Sequence, residues 1–217
     1  HTIEELELYA ARLTVREGDD YTRIGFIPWL GQGNFYTWGW AFGGKFYDEQ
    51  SGQVTADEEA MVEALRWLRD YAQTYGAEQL DAVKSAEQID PFVAGVVSME
   101  IGNNLLAATI RENRPELPYA IAPIPVREGV SFTTWSGGYS VVIPKGAGQE
   151  DAAWALAQYF AEPEAQRILG KAYLAVRPDV NERLFAEDPV NREIAGLLDQ
   201  AYWRPVIPQG QLLWNEL

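Results

Sequence analysis

The apolar residues of the chain recur in patterns that predict helices along most of its length. The segment from Thr2 to Glu5 matches a capping box, in which the Thr and Glu side chains bond to free backbone N–H groups of a starting helix. A second capping box from Thr55 to Glu58 opens a helix with apolar positions every three or four residues, which Gly76 ends. Further helices are predicted over residues 103–111, 151–161, 163–173 and 189–203.

Short apolar runs between these helices predict buried strands. They cover residues 24–29, 96–101, 119–124 and 139–143, and the last two end at a proline, which cannot donate into a sheet ladder. Strands therefore alternate with helices, the pattern of an α/β protein with a largely parallel or mixed sheet. The Pro- and Gly-containing stretch 123–129 is the best candidate for a linker or hinge between two bodies.

Composition excludes several classes of function. The 217 residues carry a formal net charge of −15, and such an acidic surface repels nucleic acid. The chain contains no Cys and a single His at its first position, which excludes thiolate metal sites, disulfides and an internal Ser-His-Asp triad. We expect neither a cofactor nor a metal.

No apolar run approaches the roughly 20 residues of a membrane span. A signal peptide is not visible, so either none existed or an upstream piece is missing, and we favour the second reading.

Three short stretches carry residues suited to ligand binding. Five aromatic residues lie between positions 35 and 42, in a predicted loop closed by Gly43 and Gly44, and aromatic faces stack on the C–H surfaces of sugar rings. A hydrophobic corner under a loop is the alternative. Gly137 and Gly138 lie between Trp135 and Tyr139, where they either expose backbone N–H groups or serve only a tight turn.

The third stretch, residues 102–104, lies where a strand ends and a helix begins. Ligands collect at the carboxyl ends of strands in α/β sheets, although Asn103 also suits a helix N-cap, so Asn104 is the better ligand candidate. Carboxylates at Asp48, Glu49 and Glu100 allow a glycosidase acid/base pair to be imagined, but a solvated turn and an edge residue explain them equally well.

Several segments, in this order and spacing, resemble the extracellular solute-binding proteins of bacterial ABC importers, in the family that includes maltose, trehalose and multiple-sugar binders. The resemblance runs nearly end to end and is carried by Thr2-Ile3-Glu4-Glu5-Leu6, Ile24-Gly25-Phe26, Trp40-Ala41-Phe42-Gly43-Gly44, Phe92-Val93-Ala94-Gly95, Met99-Glu100-Ile101-Gly102, Pro123-Ile124-Pro125, Ser136-Gly137-Gly138-Tyr139, Ile143-Pro144-Lys145-Gly146 and Arg204-Pro205-Val206-Ile207-Pro208.

The resemblance implies an α/β lobe of the periplasmic-binding-protein type II kind, mostly helical with a central mixed sheet. Residues 1–135 would form the second lobe of a two-lobed protein that closes on its ligand, 136–171 a return segment that packs with the first lobe in relatives, and 172–217 helices that return to the second lobe. Nothing in the sequence corresponds to the first lobe, and relatives continue past the last residue, so the chain is expected to be a fragment.

The same resemblance implies a non-enzymatic carbohydrate receptor, located outside the cytoplasm in the intact protein, with a sugar ligand and ABC permease subunits as partners. Its expected ligand contacts are Trp38, Trp40, Phe42, Gly43, Asn103, Asn104, Trp135, Gly137, Gly138, Tyr139 and Arg177. The order Val176-Arg177-Pro178 departs from the family pattern, in which a small residue and Pro precede the ligand-facing residue.

Two alternatives stay open at this point, a glycoside-processing enzyme and a receptor for another solute such as a glycerophosphodiester or a peptide. The apolar faces of residues 136–171 would lack their usual cover in this fragment. We therefore expect that segment either to fold back on its own lobe or to pair with a second copy of the chain, and we favour the homodimer.

Overall fold

The computed structural model describes residues 1–18, 20–86, 89–132 and 134–216. Its elements in chain order are α1 (Ile3–Leu13), β1 (Val15–Glu17), β2 (Asp20–Gly31), α2 (Phe35–Ala41), β3 (Tyr47–Asp48), β4 (Gln53–Val54), α3 (Glu59–Tyr75), α4 (Ala77–Ala86), α5 (Pro91–Ala94), β5 (Val97–Ile101), α6 (Asn104–Asn113), β6 (Trp135–Ser136), α7 (Glu150–Phe160), α8 (Pro163–Leu169), α9 (Pro178–Glu187), α10 (Pro189–Leu197), a 3-10 turn (Leu198–Gln200), β7 (Tyr202–Trp203) and α11 (Gly210–Glu216). The predicted class, an α/β lobe that is mostly helical with a mixed sheet, is confirmed.

The central sheet has the order β1-β2-β5, with β1 antiparallel and β5 parallel to β2. The middle strand β2 is buried on both faces around Phe26 and Ile27. Its pairing with β5 is irregular, because Phe26 faces Met99 but the next pair is Gly31 with Ile101. Pro28 lies in that interval and has no N–H to donate, so the strand bulges there before it leaves the sheet.

Helix α1 packs against β2 at unusually short range. A Cβ atom at position 25 would lie 2.1 Å from the carbonyl oxygen of Ala10, so only Gly25 allows the helix backbone to approach the strand this closely. The capping box predicted at the helix start is confirmed: the Glu5 N–H donates to Thr2 Oγ1 at 3.2 Å, and the Thr2 N–H donates to Glu5 Oε2 at 3.0 Å. Ile3, Leu6 and Ala10 provide its buried face.

Two of the predicted strands are wrong. Residues 119–124 have no regular secondary structure, and only Val126, just beyond them, pairs as an isolated bridge with Thr2. Residues 139–143 are likewise irregular, and the Tyr139 side chain is 91% exposed. A strand needs a neighbouring strand to accept its backbone hydrogen bonds, and apolar sequence alone does not supply one.

Other predicted boundaries also need correction. Helix α3 begins at Glu59 rather than at the second capping box, because the Thr55 hydroxyl donates to the Lys45 carbonyl at 2.7 Å instead of capping the helix. The helix predicted over residues 189–203 ends at Leu197, and its last part becomes β7, which pairs in parallel with β6. Gly76 ends α3 at positive φ, as predicted.

The C-terminal helices form a small second core around Ala175, Val180 and Leu184. An ion pair between Arg111 on α6 and Asp188 at the start of α10 ties this part to the rest of the lobe. Large apolar side chains on the stretch between residues 139 and 169 are exposed, namely Tyr139, Val141, Val142, Trp154, Leu156, Tyr159, Ile168 and Leu169. A search of the described helices finds none with the length and apolar character that a bilayer crossing requires.

Candidate functional site

The carboxyl ends of β2 and β5 lie side by side, because Gly31 pairs with Ile101 at the end of the parallel ladder. The two segments that follow these strands, residues 32–34 and 102–103, therefore lie at one edge of the sheet. They lead into the N-termini of α2 and α6. Ligand sites of open α/β sheets collect at this kind of edge, so we call it the binding edge.

The turn from Gly31 to Asn34 is held by backbone hydrogen bonds. Gly31 has φ of +61°, and the Gln32 N–H donates to the Ile101 carbonyl at 2.7 Å. The Gln32 carbonyl accepts from the Thr37 hydroxyl at 2.7 Å. Gly33 lies so close to the β2 bulge that a Cβ there would be 2.0 Å from the Pro28 carbonyl oxygen. The backbone of the turn is thus fixed, and it places the Gln32 side chain at the edge.

A cavity of about 190 Å³ opens beside this turn, between it and α6. It is lined by Gly31, Gln32, Asp90, Glu100, Gly102, Asn103, Leu105, Leu106 and Thr109. Asn103 is exposed and caps α6 by accepting from the Leu106 N–H at 3.1 Å, which confirms the predicted N-cap. Asn104, the first helical residue, is half-buried. Amide groups from two strand ends thus meet at one opening.

The aromatic segment that follows the turn is a helix, and the prediction of a loop there is wrong. Helix α2 packs against α3 so closely that a Cβ at Gly39 would lie 2.5 Å from the Met61 sulfur. Gly44 makes room for the same Met61, and Gly43 turns the chain at φ of +89°. These glycines therefore serve packing and turning inside the lobe.

Two tryptophans of α2 belong to the core. Trp38 is fully buried, its indole N–H donates to the Pro28 carbonyl at 2.8 Å, and its ring lies 4.6 Å from that of Trp67. Trp40 is 4% exposed and is surrounded by other rings. Phe42 is half-buried against Trp67. The ring faces of Trp38 and Trp40 are thus occupied by protein, because residues 36–41 of α2 are all buried and this part of the helix has no solvent-facing side.

Trp135 lies at the surface in front of this core. Its ring meets Tyr36 edge to face at 5.0 Å between centroids, and the guanidinium of Arg204 lies over Trp135 at 5.3 Å and over Tyr36 at 5.6 Å. The Asn34 side-chain amide donates to the Tyr36 hydroxyl at 2.6 Å. Burial raises the pKa of Tyr36, and the nearby charge of Arg204 offsets part of this rise. The chain of contacts links the turn to Trp135.

Trp203 extends this surface on the strand beside Trp135 and is 69% exposed. We call Trp135, Trp203 and Arg204 the aromatic wall. Sequence reasoning assigned no ligand role to Trp203, Arg204, Gln32 or Asn34, although the segment 204–208 contributed to the family resemblance. Gln32, Asn34 and Arg204 lie beside a glycine or a proline, which is common in any loop, and Trp203 lacks even this signal.

The remaining predicted site residues have different surroundings. Gly137 and Gly138 are exposed, and the Trp135 ring is the nearest neighbour that a Cβ at Gly137 would meet, at 3.1 Å. Tyr139 packs edge to face on Tyr173 with 6.0 Å between ring centroids. Arg177 directly precedes α9 and is paired with Asp179 at 3.0 Å, which lowers the pKa of that carboxyl. Gly137 thus lies beside Trp135 of the aromatic wall, whereas Arg177 is paired with Asp179 of the helix that follows it.

The carboxylates considered for catalysis are engaged in different ways. Asp48 Oδ1 accepts from the N–H groups of Gln50 and Ser51 at 2.8 and 2.9 Å, so it shapes a turn, and these bonds lower its pKa. Glu100 is largely buried at the cavity, where burial and then Asp90 raise its pKa to about 8. Over the described ranges, no group of three or more acidic, His or Cys side chains has the geometry to hold a metal ion.

Comparison with known proteins places the chain in a family. A sequence model of bacterial extracellular solute-binding proteins matches residues 17–193, and the chain belongs to that family. One curated relative is the maltotriose-binding protein of Pyrococcus abyssi, which is 22% identical over 183 residues, covering 81% of this chain and 39% of the relative.

Solved structures with the same fold include two sugar complexes. CpMnBP1 with mannotriose bound superimposes with a TM-score of 0.82 at 24% identity, covering 98% of this chain and 57% of that one. The maltose/maltodextrin-binding domain MalE from Bdellovibrio bacteriovorus, bound to maltotriose, gives a TM-score of 0.74 at 16% identity, covering 99% of this chain and 58% of that one. The chain thus spans little more than half of these structures and about two fifths of the curated relative.

Proposed function

We propose that this chain is the second lobe of an extracytoplasmic carbohydrate receptor that delivers an oligosaccharide to the permease of an ABC importer. Family membership supports the receptor class, and the sugars named with its relatives, maltotriose and mannotriose, indicate the kind of ligand. Residues 1–135 would be the body of this lobe, 136–171 a segment covered by a first lobe in the longer protein, and 172–217 the return.

The observation that carries the proposal is the aromatic wall beside the binding edge. Trp203 is 69% exposed and Trp135 is half-buried, and the exposed parts of their rings can stack on the apolar C–H faces of sugar rings. Side-chain amides of Gln32 and Asn104 at the strand ends can donate to and accept from the hydroxyl groups of the same sugar. Aromatic surface next to uncharged amides suits a neutral polyhydroxylated ligand.

Enzymatic hydrolysis is disfavoured by the arrangement of the acids. A retaining glycosidase holds two carboxyl groups about 5 Å apart with the sugar between them, and an inverting enzyme holds them further apart. Asp90 and Glu100 line the same small cavity, where Asp90 helps to raise the pKa of Glu100, and Asp48 is occupied by its own turn. We therefore propose binding without turnover.

An anionic solute is also disfavoured. A phosphate or carboxylate ligand is normally held by several cationic side chains, whereas the wall contributes the single cation Arg204, which already contacts Tyr36 and Trp135. The acidic net charge of −15 further opposes an anion. A neutral sugar meets neither obstacle.

Truncation of Trp135 tests the proposal. Titration of the chain with maltotriose and mannotriose, followed by ligand-observed NMR because half a cleft binds weakly, should give saturable binding to at least one of them. Trp135→Ala should lower that affinity by about 1–3 kcal/mol, roughly 5- to 150-fold, the scale of a lost aromatic anchor.

Trp154→Ala provides the matched control, since Trp154 is 59% exposed on α7 and belongs to no part of the wall. Equal loss of affinity in both variants would contradict the assignment of the wall. Absence of saturable binding to either sugar would count against the proposed ligand class, and release of a chromophore from chromogenic glycosides would favour the enzyme.

A further inference from the structure

Two carboxyl groups meet in the cavity beside the binding edge. Asp90 precedes α5 and caps it, with Oδ1 accepting from the Phe92 and Val93 N–H groups at 2.8 and 3.3 Å. Glu100 reaches the same cavity from β5.

The buried end of Glu100 lacks a donor. Its Oε2 atom is inaccessible to solvent and accepts no hydrogen bond within the described ranges of the chain. An ionised carboxylate in this position would pay for burial without a donor and would also face the charge of Asp90. A proton on Glu100 removes both costs, because the resulting O–H donates to Asp90. Burial first and Asp90 second raise the pKa of Glu100 to about 8.

No cation among the lining residues offsets this effect. Uncharged residues face Glu100 from the turn, from α6 and from the segment before α6, namely Gln32, Asn103, Thr109 and two leucines. Asp90, before α5, is the other ionisable residue of the lining. The surroundings of Glu100 therefore favour its protonated form.

The Glu100 carboxyl also touches the backbone that forms the binding edge. A Cβ atom at Gly31 would lie 2.2 Å from Glu100 Oε1, so the carboxyl occupies the space that a side chain would take. Gly31 is also the residue at φ of +61° from which the turn starts. The packing of the segment that carries Gln32 therefore depends on the position of the Glu100 carboxyl.

We propose that Glu100 is a positioning residue, and that the proton it shares with Asp90 holds the Gly31–Gln32 turn in its binding geometry. Loss of this proton places two negative charges in contact, moves the Glu100 carboxyl toward the cavity opening and loosens the turn. The part of this inference that concerns sugar affinity rests on the proposed function, whereas the proton and the turn do not.

The sign of the effect on stability follows from the raised pKa. The folded chain binds the Glu100 proton more tightly than the unfolded chain, in which a Glu has its ordinary pKa of about 4.5. The stabilising contribution is therefore complete below about pH 4.5, declines as the pH rises, and is lost once the pH passes about 8.

Glu100→Gln tests the proposal, because its amide N–H₂ donates to Asp90 at every pH in nearly the same shape. The Tm of the variant should match that of the unaltered chain near pH 5 and exceed it increasingly up to about pH 8, with no further divergence above. Glu112→Gln, an exposed glutamate on α6, gives the baseline for removing one carboxylate. Asp90→Asn should retain the cap of α5 and move the divergence to lower pH.

Hydrogen exchange of the Gln32 amide reports on the turn without any ligand, since this N–H donates to Ile101. The ratio of its exchange rate in the unaltered chain to that in Glu100→Gln should rise several-fold from pH 6 to pH 9, and maltotriose affinity should fall over the same range in the unaltered chain alone. Parallel Tm profiles with a constant exchange ratio would overturn the proposal. If neither the unaltered chain nor Glu100→Gln binds maltotriose at any pH while the Tm and exchange results are as expected, the proposed function fails and the positioning role of Glu100 stands.

Discussion

Replacement of Trp40 by Ala should destabilise the lobe strongly and thereby separate core from site among the aromatic residues. Trp40 is 4% exposed, and its ring lies 5.5–6.4 Å from the rings of five neighbours. These neighbours are Tyr36, Phe46, Phe132, Trp135 and Tyr202. The side chain therefore connects α2 to the segment before β6 and to β7.

The magnitude follows from the buried area. A tryptophan buries about 150–250 Å², and at about 25 cal/mol per Å² its transfer is worth about 4–6 kcal/mol. Unfolded chains already bury part of this area, which lowers the figure, while the cavity left behind raises it. We expect Trp40→Ala to reduce the free energy of unfolding by about 3–5 kcal/mol, a large share of the about 5–15 kcal/mol typical of a folded domain.

Urea denaturation followed by far-UV circular dichroism measures this loss without depending on tryptophan fluorescence. Trp203→Ala is the matched control, because the Trp203 side chain is 69% exposed and its removal should cost less than about 1 kcal/mol. If Trp40→Ala does not fold, Trp40→Phe takes its place in the assay. It should unfold at a urea midpoint below that of the unaltered chain. A Trp40→Ala midpoint equal to that of Trp203→Ala would refute the argument and return Trp40 to the list of ligand contacts.

Two further predictions concern packing and assembly. Gly25→Ala should lower the free energy of unfolding by about 1–3 kcal/mol in the same urea assay, because the new Cβ overlaps the Ala10 backbone. Gly138→Ala is the control, since no atom lies within 4 Å of its Cβ position, and it should change stability by less than about 0.5 kcal/mol. Equal midpoints would contradict the close helix–strand contact. The exposed apolar side chains between residues 139 and 169, including Tyr139 and Trp154, should make the chain self-associate. Light scattering after gel filtration should therefore give a mass that rises with protein concentration. A strict monomer with slow hydrogen exchange over residues 139–143 would exclude the dimer.

The sequence determined the features that depend on residues close together in the chain. Thr2 and Glu5 define the start of α1, Asn103 caps α6 and Gly76 ends α3, because a helix satisfies its own backbone within four residues. The strands β2 and β5 were also predictable, from the short apolar run 24–29 and from Val97, Met99 and Ile101, which alternate with Ser98 and Glu100. From these elements the α/β class and the binding edge followed.

Only the tertiary structure decided which aromatic residues face solvent and which apolar runs find a partner. Trp38 and Trp135 are the same amino acid beside similar neighbours, yet one donates to the Pro28 carbonyl inside the core and the other lies in the wall with Arg204. Residues 139–143 have the composition of a strand, yet they pair with no strand in the described part of the chain. Burial, strand pairing and the contact between Asp90 and Glu100 all depend on residues distant in sequence, and a local pattern does not specify which distant groups meet.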